Sequence, residues 1–328
     1  MRKPLISVAI AATGAALAIP AAAAKPLPAP TAYVTNWGSN TVAAISVATD
    51  TVVATIPVGT TPDAVAATPN HVFIDNLGSD NVSVIDPFTN TVTRTIPVAS
   101  TVGYGSIAAH GNKVYVVSNH NVSVYNGNTG KLVKSATLPT AVYYPSGAAL
   151  NAAGTQLWAL DRYGDTDSST ANEIDTTSLK VTASVPLGYE YDALTISLNS
   201  TRAYVIGDGG YMYTIDEKTA KVLSTSPYLG VDPAGVAASN EYVYGVNRVP
   251  GQITEVNAVT GATLTSWSGS PGEESIGAAL TPDNSQLFVT TSGGNVDIYN
   301  VPTGTLRATV SAGPPIGQST GDEQFITP

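Results

Sequence analysis

Apolar and polar residues alternate along this chain in short runs, and clusters of Asn, Asp, Gly, Ser and Thr separate one run from the next. Val42, Ala44 and Ser46, or Val82, Val84 and Asp86, show the period of two that sends successive side chains to opposite faces of a strand. Beyond the N-terminal segment no stretch sustains the period of an amphipathic helix. The alternation predicts an all-β chain.

The runs themselves recur. Ala32 to Asn70 reads AYVTNWGSNTVAAISVATDTVVATIPVGTTPDAVAATPN, a close copy opens at His71 as HVFIDNLGSDNVSVIDPFTNTVTRTIPV, and weaker copies follow to the C-terminus. One large side chain marks each copy: Tyr33, Phe73, Tyr115, Trp158, Tyr204, Tyr244 and Phe288, spaced 40, 42, 43, 46, 40 and 44 residues apart. Turn residues divide a unit into four strands, here lettered A to D; in the second unit these are Ala64–Ala67, His71–Asp75, Asn81–Asp86 and Thr91–Val98. Pro57, Pro97, Pro139 and Pro186 stand near the ends of D strands, where a missing ladder donor suits an outer edge. Four antiparallel strands at this period make one blade of a β-propeller. The mature chain starts in a B strand at Ala32 and runs through seven B-C-D sets, and a last A-like segment, Gln324 to Pro328, has none after it. The expected fold is therefore an all-β, seven-bladed propeller whose C-terminal strand completes blade one.

The repeat unit resembles the YVTN-type β-propeller family on the namesake word Tyr33-Val34-Thr35-Asn36 and its copies over residues 32–328. Copies four to seven depart from it, with Leu160-Asp161 or Gly207-Asp208 where Thr-Asn would stand. Among such propellers are exported YncE-like and archaeal surface-layer proteins, with lactonase-type propellers as distant relatives. The resemblance implies a fold and an exported setting, and it implies neither an activity nor a cofactor.

Residues 1–24 have the form of a secretory signal: Arg2 and Lys3, an apolar run from Leu5 to Ile19, then Ala21 to Ala24. A Pro-rich lead-in covers 25–31 and a single domain 32–328, so a periplasmic or secreted protein with no membrane span after cleavage is expected. The chain has no cysteine, and its 14 basic against 24 acidic residues give a net charge of −10. That sign disfavours nucleic acid and anionic membranes as partners. A monomer without cofactor is expected.

Strands alternate in direction, so B-C and D-A turns share one end of the ring. That end gathers the unusual side chains: Trp37, Tyr104, His120, Tyr143, Tyr144, Arg162, Tyr163, Tyr189, Glu190, Tyr191, Asp192, Arg248, Glu273 and Glu274. Asp63, Asp208 and Asp232 belong to the same set of turns. Aromatic faces beside carboxylates suit a glycan, a small molecule or a protein partner. A hydrolase or lyase of lactonase type is the alternative, with His120, Tyr191, Glu190 or Glu274 in acid-base roles and Arg162 holding an anionic group. Blade four carries an insertion from Asp161 to Asn172, in which Asp161, Asp165 and Asp167 offer oxygen donors but miss the EF-hand spacing. His71 and His110 fall at the opposite end, so the three histidines cannot share a metal.

Overall fold

The computed structural model describes residues 29–98, 105–118, 120–138, 145–161, 169–187, 193–197, 199–207, 209–225, 229–249 and 251–314. The protein is a seven-bladed β-propeller. Six blades are four-stranded antiparallel sheets in the order A-B-C-D, and blade one presents B, C and D at Thr31–Asn36, Thr41–Ser46 and Thr51–Pro57. Blade two matches the predicted division, with strands Pro62–Thr68, His71–Asn76, Asn81–Asp86 and Thr91–Pro97. The A strands of blades three to seven are Gly105–His110, Pro145–Leu150, Ala193–Ile196, Val231–Ala238 and Ser275–Leu280. The signal segment and the closing strand expected at 324–328 lie outside the described residues.

All seven repeat markers lie in B strands and are at most 2 % exposed. Each sits in the seam between its own blade and a neighbour. Tyr33 packs with Val65 and Val72 of blade two, and Phe73 with Val114 and Val116 of blade three. The ring closes in the same way: Ala32 and Val34 of blade one form one cluster with Phe288, Ile298 and Val310 of blade seven. Buried Asn36 adds a bond across that junction, donating from Nδ2 to the Ala312 carbonyl at 2.9 Å.

The Asn of the repeated word staples its own B-C hairpin. Asn36 donates toward the Thr41 hydroxyl, Asn76 toward Asn81, and Asn247 toward the Gln252 carbonyl, in each case reaching the first residue of strand C. Thr291 does the same in blade seven through its hydroxyl, to the Asn295 carbonyl at 3.3 Å. The Tyr of the word reaches the next blade: the Tyr33 hydroxyl donates to Asn90 Oδ1 at 2.7 Å and that of Tyr204 to the Ala258 carbonyl at 3.3 Å, both in C-D turns.

Candidate functional site

The B-C and D-A end is built from strand ends tied together by their own turns. His120 occupies the last turn position before strand C of blade three, with φ of 59°. Asn40, Asp80, Gly210, Gly251 and Gly294 hold the same place in other blades, all at positive φ. At each of these positions the carbonyl accepts a backbone N–H from the end of strand D, as Val58 to Asn40 at 3.1 Å and Leu138 to His120 at 2.6 Å. His120 thus occupies a left-handed turn position that Asn, Asp or Gly fill elsewhere.

Arg248 and Asp232, expected in turns, lie instead within strands Tyr242–Val249 and Val231–Ala238, because blade six pairs its A and B strands one step further, to Val231 opposite Val249. They form an ion pair of 2.9 Å across that ladder. Asp63 likewise belongs to the A strand of blade two. In blade seven the Glu273 carboxylate accepts from the Thr291 hydroxyl and from Asn295 Nδ2, tying the D-A turn to the B-C turn. Glu274 joins the same two turns through its backbone, bonded to Ser292 in both directions.

The insertion in blade four is shorter than expected, since Asp161 closes strand B, opposite Thr170, and Thr170 to Asn172 already belong to strand C. Asp161 is 2 % exposed at a strand end, so it does not sit in a solvated acidic loop. Asp165 and Asp167 lie outside the described residues, as do Tyr104, Tyr143, Tyr144, Arg162, Tyr163, Tyr189, Glu190, Tyr191, Asp192 and Asp208.

Among the described residues, two exposed aromatic rings stand at this end. Trp37 in the B-C turn of blade one is 40 % exposed, and Tyr211 beside the B-C turn of blade five is 43 % exposed. Tyr211 escaped the sequence reading because Gly207 to Gly210 reads only as a tight turn, and the ring that follows it carries no motif. Between the A strands of blades two to seven runs a central cavity of about 240 Å³ lined by Val65, Ala108, Ala149, Leu194, Gly235 and Ile276 with their strand neighbours. Thr195 supplies its one hydroxyl, and no titratable side chain lines it among the described residues.

Asp75, in the B strand of blade two, is fully buried, and neither carboxylate oxygen has a hydrogen-bond partner among the described residues. Burial pushes its pKa up to about 7, and the charge of Asp80 adds to the shift. Thr35 holds the corresponding place in blade one and donates across the blade junction to the Asp63 carbonyl at 3.2 Å.

No family model and no curated protein matches the chain, so the YVTN word stays a resemblance. Among solved structures, a chain of Kuenenia stuttgartiensis hydrazine synthase matches with a TM-score of 0.70 at 16 % identity, over 88 % of this chain and 97 % of that one. At this identity the likeness shows the propeller fold alone.

Proposed function

We propose that the protein is an exported binding module that takes a glycan, another small molecule or a protein partner on the B-C and D-A end, with Trp37 as an anchoring ring. The observation that carries this reading is the division of labour at that end. Arg248 and Asp232 are engaged with each other and Glu273 with Thr291 and Asn295, while the Trp37 ring is offered to solvent. A tryptophan face stacks on sugar rings and apolar side chains alike. The hydrolase or lyase alternative needs acid-base groups gathered on the reacting atoms. His120 is not among the residues lining the central cavity, and its place is one that turn geometry explains. The export reading rests on the form of residues 1–24.

Tryptophan fluorescence tests this directly, because Trp158 is buried and Trp267 only 9 % exposed, which leaves Trp37 as the accessible fluorophore. Across a panel of oligosaccharides, lactones and peptides, the bound compound is expected to shield Trp37 from acrylamide, and Trp37→Ala to weaken binding roughly thirtyfold, or about 2 kcal/mol. Turnover of a lactone that survives Trp37→Ala would overturn the reading in favour of the enzyme.

A further inference from the structure

At the opposite end of the ring, between blades six and seven, lies a cavity of about 550 Å³, within the usual size range of small-molecule sites. Tyr242, Tyr244, Glu241 and Glu255 line it with Asn284 and Pro302, and no basic side chain does among the described residues. The repeat explains why the cavity exists. Tyr33 and Tyr204 have their hydroxyls capped by the C-D turn of the following blade. In blade seven that turn presents Val301 and Pro302, and the Tyr244 hydroxyl has no hydrogen-bond partner among the described residues, although the side chain is only 1 % exposed. The side-chain carbonyl of Asn284, another residue of the wall, is buried behind it without a partner among the described residues.

The walls therefore hold two carboxylates that have no ion-pair partner among the described residues, and one uncapped phenol hydroxyl, in a space large enough for a ligand. Glu255 is half-buried and stands directly opposite Tyr244 on the B-C ladder. Burial raises the pKa of Glu255, and burial followed by the charge of Glu255 raises that of Tyr244, as expected where negative charge is held near a buried phenol. We infer that this cavity is a second binding site, for a small organic cation bearing an ammonium group. The carboxylates accept its N–H donors, with the Tyr244 hydroxyl oxygen as a further acceptor in the wall. No three His, Asp or Glu side chains are gathered as metal ligands among the described residues, so an organic cation is favoured over a metal ion.

The site is tested by titrating the protein with 1,4-diaminobutane, with its neutral isostere 1,4-butanediol and with calcium chloride, by calorimetry and thermal shift. Saturable binding of the diamine alone is expected, weakened roughly tenfold or more by Glu255→Gln, which removes a charge-assisted bond without changing shape. Tyr244→Phe should weaken it less, and Trp37→Ala at the other end of the ring should leave it unchanged, which separates this site from the face proposed above. Circular dichroism on each variant verifies the fold. An equal response to the diol, a preference for calcium, unaltered diamine affinity in Glu255→Gln, or no binding by about 10 mM diamine would each overturn the inference.

Discussion

Asp75 shows how far a single residue can depart from its repeat. Its folded pKa of about 7 lies above the ordinary carboxyl value near 3.8, so the folded state holds a proton that the unfolded chain releases. The sign follows: the residue costs nothing below pH 4, destabilises progressively as pH rises to about 7, and its effect levels off above that. Asp75→Asn removes the ionisation. Denaturant unfolding of both proteins at pH 4.5 and pH 8 is expected to show the variant gaining on the parent at the higher pH, and a pH-independent difference would place the carboxyl in an ordinary environment. In sequence Asp75 is one more polar residue before the turn in VFIDN, where blade one has Thr35 in YVTN. Nothing local separates a threonine that finds a carbonyl across the junction from an aspartate that finds none.

At the scale of elements, the C-D hairpin repeats most faithfully. Every blade has a register shift at the same place in strand C, between Ala44 and Ile45 in blade one and between Ile298 and Tyr299 in blade seven. Every C-D turn also ends on a residue at positive φ: Asp50, Asn90, Gly130, Leu179, Ala220, Gly261 and Gly304. The Asn-x-x-x-Gly and Asp-x-x-x-Asn turns were legible as turns, whereas the bulge was not, since a pattern of two faces shows no extra residue until the partner strand is in place. Leu179 and Ala220 adopt a conformation that disfavours a β-carbon. Ala220→Gly is expected to raise stability by roughly 0.5–1 kcal/mol in urea denaturation, the relief of left-handed strain exceeding the entropy glycine adds to the unfolded chain.

For the whole molecule, the decisive contact is the seam where blade one meets blade seven. Blade one already packs on blade seven through the Ala32, Val34 and Phe288 cluster, and Arg307 holds Asp50 across the same junction at 2.6 Å. Strand B of blade one is hydrogen-bonded only to strand C among the described residues. The repeat count assigns its missing neighbour to Gln324–Pro328. Truncation after Pro314 is expected to lower the melting temperature sharply and to broaden the transition, because an unpaired strand edge at the seam weakens the cooperativity of the ring. A melting curve that superposes on that of the full chain would show the closing strand to be dispensable.

The sequence by itself determined the seven units, the division of each into strands, the buried ring that marks every B strand, and which turns share an end. Those follow from alternation and period, properties that each unit carries within some forty residues. Tertiary structure alone decided that His120 serves a left-handed turn, that Arg248 and Glu273 are tied to neighbouring segments, that Asp75 is orphaned, and that the Tyr244 hydroxyl ends in a cavity. The physical reason is that a blade buries both faces: alternation tells which face a side chain takes, while the group it meets there belongs to another turn or to the next blade, so partner and void look alike along the chain.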